Sequence, residues 1–297
     1  MQPDVTQFSV SAPAGRELQV LTAGPEDGLP LVFHNGTPSG LAAFGPMVDA
    51  AAERGLRTVM YARPGYGSST PDPGRRVAGA AADVAAVLDK LGAEHFVTAG
   101  WSGGGPHALA CAALAPQRCQ GAASIAGVAP FAADGLDWLA GMAAENVAEF
   151  GAALAGEAEL TALLEAAAAE LRDITADQVA DSFGGLVSDV DKSVITGDFA
   201  DYMAASFRLG VSTGIAGWRD DDLAFAADWG FTPGAGAPVT VWQGDQDMMV
   251  PFAHGQWLAA HLPGARAHLI TGAGHLSVGV TEFGAILDDL LAIAGVR

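Results

Sequence analysis

Between Glu94 and Leu114 the chain passes from an apolar strand-like stretch through a glycine-flanked serine into a buried helix-like stretch. Few folds can hold that succession. The pentapeptide at its centre, Gly100-Trp101-Ser102-Gly103-Gly104, fits the pattern G-x-S-x-G. A serine used as a nucleophile has to stand out on a sharp strand-to-helix turn. Such a turn crowds backbone against backbone, so glycine is needed on both sides of it. Glu94–Ala99 reads as the incoming strand and Pro106–Leu114 as the outgoing helix. Glycine is abundant (39 residues), so a match to three positions could also mark a purely structural loop. The strand and helix around it are what make Ser102 a candidate nucleophile. The run Gly103-Gly104-Gly105 is followed by no Lys-Ser/Thr, as a phosphate-binding loop would require.

The rest of the chain supplies the framework for such a turn. Gln7–Ser11 and Leu18–Leu21 read as a hairpin around Pro13-Ala14-Gly15, and Leu29–Phe33 and Arg57–Tyr61 as further strands. Leu41–Arg54 reads as a helix closed by Gly55. Arg76–Leu91 carries apolar residues at helical spacing and ends at Gly92. Gln120–Ile125 is the next strand. Alternation of this kind predicts a mostly parallel sheet with helices on both faces. The rhythm stops near Pro130 and resumes after Pro233–Pro238, with strands Val239–Gln243 and Arg266–Ile270 and helices Phe252–Leu262 and Val278–Ala294. The intervening residues read as helical, among them Glu157–Asp173 and a helix begun by Thr175 with Gln178 three residues on. The expected organisation is therefore a core of 1–129 and 237–297 interrupted by a helical insertion, 130–236.

Charge sets that insertion apart. The formal net charge is −20, and residues 131–235 alone hold 19 acids against 4 bases. Most of these acids are expected on the solvated faces of helices. Such a balance argues against nucleic acid or anionic membranes as partners and favours neutral or cationic substrates over strongly anionic ones. The first residues, Met1-Gln2-Pro3-Asp4-Val5, carry neither a basic nor an apolar leader, and no apolar run is long enough to span a membrane. Cys111 and Cys119 are too few for a disulfide framework or a metal site and read as buried small hydrophobes in a reducing cytoplasm. No metal or organic cofactor is implied, and the expected partner is a small molecule. Nothing in the sequence chooses between monomer and homodimer.

A neutral serine needs a base, and the base an orienting acid. On a strand–turn–helix scaffold these follow in the order Ser, acid, His. Gly244-Asp245-Gln246-Asp247 comes directly after one late strand and Gly272-Ala273-Gly274-His275 after the next, both at strand C-terminal ends, where a parallel sheet gathers its active site. Among seven histidines only His275 lies on a glycine-flanked loop in that position. Asp247 is the candidate acid, with Asp245 the alternative and more fitted to forming the turn. An oxyanion needs two N–H donors. Gly103, after the nucleophile, is one candidate. The loop His34-Asn35-Gly36-Thr37-Pro38-Ser39-Gly40 offers Thr37 as the other, since Pro38 has no N–H.

Taken together, His34–Pro38, Arg63-Pro64-Gly65-Tyr66-Gly67-Ser68-Ser69, the Ser102 elbow, Gly244–Pro251 and Gly274-His275 resemble the α/β-hydrolase superfamily over nearly the whole chain. That resemblance implies an α/β-hydrolase fold, a Ser102–Asp247–His275 triad, an oxyanion hole of Thr37 and Gly103, and a helical cap over the substrate pocket. It also favours Asp247 over Asp245. Haloalkane dehalogenases and epoxide hydrolases look similar but use Asp at the elbow. Proline iminopeptidases usually show H-G-G-P-G where this chain has His34-Asn35-Gly36-Thr37-Pro38, and the usual acid before Arg63 is replaced by Ala62. The expected activity is that of a serine hydrolase on carboxylic esters. Alternatives are lactone, C–C or amide hydrolysis or acyl transfer with the same triad, or a non-catalytic binding member of the fold. Trp101, Phe131, Trp138, Met142, Phe207 and Trp218 are candidates for the pocket lining, each also suited to packing within the insertion.

Overall fold

The computed structural model describes residues 4–296. The outermost positions of the expected core, 1–3 and Arg297, lie outside the described residues. Eight strands form one sheet in the order β1-β2-β4-β3-β5-β6-β7-β8. β1 (Val5–Ala12) and β2 (Arg16–Ala23) make the expected hairpin, and both pairings of β2 are antiparallel. The remaining strands, β3 (Leu29–His34), β4 (Leu56–Tyr61), β5 (Phe96–Trp101), β6 (Cys119–Ile125), β7 (Val239–Gly244) and β8 (Arg266–Ile270), run parallel.

Side chains alternate across this sheet with the period of a strand, and each set finds its own core. Leu31, Phe33, Met60, Val97 and Ile125 join α1 (Gly45–Ala52) and α12 (Phe283–Ala294) on one face. Val32, Val59, Tyr61, Phe96 and Val241 join α2 (Gly79–Leu91), α3 (Gly105–Leu114) and α10 (Phe252–His261) on the other. Strands buried on both faces need apolar residues throughout, which is why these read as continuous runs. Each fully buried Leu or Val contributes about 1.5–3 kcal/mol of transfer free energy. Gly92 ends α2 at φ 68°, a left-handed C-terminal position that suits glycine.

The strand order fixes where a site can form. From β3 the chain moves sideways to β4, then returns past β3 to β5. The loops following β3 and β5 therefore part in opposite directions and leave a crevice at the C-terminal end of the sheet.

Six α-helices fill the described segment between β6 and β7: α4 (Ala144–Ala155), α5 (Glu157–Leu171), α6 (Ala176–Ser182), α7 (Asp189–Val194), α8 (Gly197–Val211) and α9 (Ala216–Ala226). The Thr175–Gln178 box starts α6, with Thr175 N–H donating to Gln178 Oε1 at 3.0 Å. Four acids of this segment depart from the expected solvated faces. Asp191, Asp220, Asp221 and Asp222 are each 3% exposed or less. The partners of Asp191, Asp221 and Asp222 come from distant parts of the chain, so local charge pattern does not announce them.

Two helices also differ from expectation. α1 begins at Gly45 instead of Leu41, with Pro46 in its first turn, where the missing N–H costs nothing. The long helix expected from Val278 divides into α11 (His275–Thr281) and α12, with Glu282 (φ −98°, ψ 1°) outside helical geometry between them. α11 runs at the crevice, whereas α12 packs on the sheet, where the Phe283 ring meets Phe33 edge-on at 6.0 Å.

Candidate active site

Ser102 stands at φ +56°, the left-handed region that costs a non-glycine residue about 1–2 kcal/mol. The turn is tight enough that a Cβ at Gly100 would run into the Gly104 carbonyl, and one at Gly104 into the carbonyl of His34. A Cβ at Gly36 would lie 3.4 Å from the Cβ of Ser102, so the loop after β3 faces the serine directly. A Cβ at Gly103 would sit 2.5 Å from Thr37 Oγ1, which puts these two residues side by side.

His275 and Asp247 are joined by a 2.8 Å hydrogen bond between Nδ1 and Oδ2, at 2% and 4% exposure. The carboxylate can only accept, so Nδ1 carries the proton and Nε2 is left as the basic nitrogen. Asp247 is itself held: Met249 and Val250 N–H donate to Oδ1 at 2.9 and 2.8 Å, and Gln243 Nε2 donates to Oδ2 at 2.8 Å. Burial opposes the imidazolium. The charge and hydrogen bond of Asp247 and the charge of Asp191 outweigh it, so the His275 pKa lies above its ordinary value. Asp245 plays the other part considered for it. It is exposed and accepts Gly272 N–H at 2.7 Å, tying two loops together.

The sequence gives no sign of how His275 is placed. Asp191, on α7, accepts the N–H of His275 at 2.9 Å through Oδ2 and those of Leu276 and Ser277 at 2.8 Å through Oδ1. These are the first N–H groups of α11, which have no partner within the helix. From below, Trp101 Nε1 donates to the His275 carbonyl at 3.0 Å. Trp101, the residue before Ser102, and an aspartate of the helical segment thus hold the histidine backbone between them.

A second buried cluster braces the loop after β3. Arg63 donates to the carbonyls of Asn35 (2.6 Å) and Gly36 (2.8 Å) and to Thr37 Oγ1 (3.0 Å), and pairs with Asp221 of α9 at 2.6 Å. Asp221 also receives Arg75, Tyr66 Oη and Thr37 Oγ1, at 2.8, 2.9 and 2.8 Å. Burial alone would raise its pKa, but Arg63 and Arg75 hold it below the usual carboxylate range. Nearby His107 is pushed down to about 3, chiefly by burial, and its Nδ1 donates to the Gly103 carbonyl at 2.8 Å. It serves as a neutral brace under the elbow.

Ser102 opens on a cavity with two lobes. The smaller, about 80 Å³, is lined by His275, Trp101, Tyr202 and Phe207 with the loop after β3. The larger, about 370 Å³, runs under the helical segment and reaches Gly103, Glu149, Trp218 and Asp222. Thr37 and Ser102 border both. Three of the six aromatic and Met candidates therefore line the cavity: Trp101, Phe207 and Trp218. The other three, Phe131, Trp138 and Met142, line neither lobe. Trp138 packs edge-on against Phe131, Phe150 and His254 at 5.4, 4.6 and 5.2 Å, and Met142 is buried in the same cluster. Their apolar surface is used in joining the segment to α10.

The sequence profile described as the alpha/beta hydrolase fold matches residues 30–280. The chain belongs to that family. Among curated relatives it is 35% identical over 134 residues to a non-heme chloroperoxidase of Streptomyces lividans, a match covering 44% of this chain and 49% of that protein. It is 32% identical over 132 residues to epoxide hydrolase B of Mycobacterium tuberculosis, covering 43% of this chain and 36% of the relative. The chain thus matches half or less of the length of these relatives. Solved structures match nearly end to end. Carboxylesterase CesB of Bacillus subtilis superimposes with a TM-score of 0.66 at 20% identity, covering 99% of this chain and 93% of the other. An enol-lactonase of Burkholderia xenovorans gives 0.63 at 22% identity, covering 96% and 100%. Likeness at this level of identity speaks for the fold. Among the described residues, no helix is long and apolar enough to cross a membrane.

Proposed function

We propose that this protein is a serine hydrolase that cleaves carboxylic esters through an acyl-enzyme, with Ser102 as nucleophile, His275 as base and Asp247 as orienting acid. The observation that carries the reading is the Asp247–His275 pair, hydrogen-bonded at 2.8 Å, opening on the same lobe as a serine held in left-handed backbone. His275 Nε2 takes the Ser102 hydroxyl proton as Oγ bonds to the ester carbon, and the carbonyl oxygen becomes an oxyanion. The N–H groups of Gly103 and Thr37 receive it, each worth about 3 kcal/mol in the barrier. The C–O bond to the alcohol then breaks, and His275 returns the proton to the leaving oxygen. Water repeats the sequence: His275 takes its proton, hydroxide attacks the carbonyl, and Ser102 leaves with the proton. The helical segment acts as a cap that closes the pocket. A lactone is a cyclic ester and would follow the same steps.

The test is peptide mass spectrometry after treatment with a fluorophosphonate. A single adduct on Ser102, lost in Ser102→Ala and strongly slowed in His275→Ala, is expected. Absence of an adduct on folded protein would overturn the assignment.

A further inference from the structure

Helix α9 places three aspartates in succession deep in the protein, and their pairing differs. Asp220 is bound by Arg219 at 2.9 Å, and Asp221 by Arg63 and Arg75. Asp222 forms no ion pair with a described base. It is 1% exposed, its Oδ2 receives no hydrogen bond from any described group, and its carboxyl lies within hydrogen-bonding reach of another acid, Glu149 of α4. Glu149 in turn accepts Trp218 Nε1 at 2.8 Å. Burial and the facing carboxyl push Asp222 well above the usual carboxylate range, and burial raises Glu149 against the hydrogen bonds of Asp222 and Trp218, which favours a proton shared between the two.

The described base whose charge reaches Asp222 is Arg75, and it is already paired with Asp221. Asp222, Glu149 and Trp218 form part of the wall of the 370 Å³ lobe, with Glu145 and Glu170 the other ionisable groups there; no Lys, Arg or His lines it. A buried charge is tolerated only when something compensates it. Two carboxyls on the wall of a lobe that no described base lines make an environment suited to an ammonium group.

The two lobes also divide the substrate. A general acid must reach the leaving oxygen, and His275 borders the smaller lobe only, so the alcohol half belongs there. The acyl half then extends into the larger lobe, toward Glu149 and Asp222. We infer that the substrate is an ester of a small alcohol whose acyl half carries a cationic, amine-type group, bound by Glu149 and Asp222. This rests on the ester-hydrolase reading above and adds the charge and direction of the substrate to it.

The experiment compares ethyl esters of ω-ammonio acids, from butanoate to octanoate, with the isosteric alkyl esters. The readout is the ratio of kcat/KM between the two members of each pair. In the unaltered protein one chain length is expected to favour the ammonium ester by about tenfold or more. In the double variant Glu149→Gln/Asp222→Asn, which leaves neither carboxyl of the pair to ionise, the ratio should fall toward unity, mainly through KM. A ratio taken within one preparation is independent of how much of a variant folds. A second readout needs no turnover: in Ser102→Ala, calorimetry should show hexylammonium binding more tightly than hexanol, and adding both Glu149→Gln and Asp222→Asn should remove the difference. Ratios at or below unity in the unaltered protein, or ratios unmoved by both substitutions, would overturn the inference. Turnover of the alkyl esters in that case would leave the hydrolase reading standing, whereas no turnover of any ester would count against that reading itself.

Discussion

Replacing Asp191 by asparagine isolates the link between the helical segment and the histidine. Three N–H groups of α11 and the Ser188 hydroxyl converge on this fully buried carboxylate. Asparagine keeps one oxygen, which can hold Leu276 and Ser277 in the place of Oδ1, while its amide confronts the N–H of His275. One stranded buried donor costs about 1–3 kcal/mol, and losing the negative charge at the start of a helix costs about 1 kcal/mol more. The variant should therefore be less stable by about 2–4 kcal/mol, read as a lower denaturant midpoint with an unchanged slope. A second consequence separates this role from packing alone. Asp191 favours the imidazolium of His275, so without its charge the His275 pKa falls and the acid limb of kcat/KM for ester hydrolysis moves to lower pH. A loss below about 0.5 kcal/mol, the range of an ordinary surface substitution, would refute the reasoning. So would a limb that stays in place or moves upward.

In the unaltered protein, kcat/KM should rise with pH through a single limb placed above about 6.5, the ordinary histidine value, because in the proposed mechanism only neutral His275 accepts the serine proton. The same raised pKa makes a stability contribution that is fully present below about 6.5 and fades as pH climbs through the folded value, which urea titrations across that window would detect. Asp221→Asn should lower stability by about 3–5 kcal/mol in thermal melts, since it leaves the buried Arg63 and Arg75 guanidinium groups without their carboxylate; an unchanged melting temperature would contradict the ion-pair argument.

What the sequence discloses follows the range of the interactions involved. The elbow, the strands on either side of it, and Asp247 and His275 at the ends of β7 and β8 are local patterns, set by glycine placement and by strand period, and they are readable as such. The Thr175–Gln178 box is local too. Asp191, Asp221 and Asp222 belong to the other kind. Each looks like one more acid on a helix of an acidic segment, and its partner lies far away in the chain: residues 275–277 for Asp191, Arg63 and Arg75 for Asp221, Glu149 for Asp222. One signal was available. Successive helical residues are about 100° apart, so Asp220-Asp221-Asp222 sweeps some 200° of α9 and cannot lie wholly on a solvent face. The placement of Phe131, Trp138 and Met142 had no such signal, because apolar surface serves a packing cluster and a pocket wall equally well.

The contacts of Arg63 bear on how members of this fold exchange parts. Its guanidinium reaches two carbonyls of the loop after β3 and one carboxylate of α9. Transplanting the residues between β6 and β7 onto another scaffold carries Asp191 and Asp221 across without the groups they answer to. The recipient gains two buried anions without their partners. Such an exchange keeps its buried charges matched only when positions 63, 75 and 221 move together and position 191 moves with 275–277.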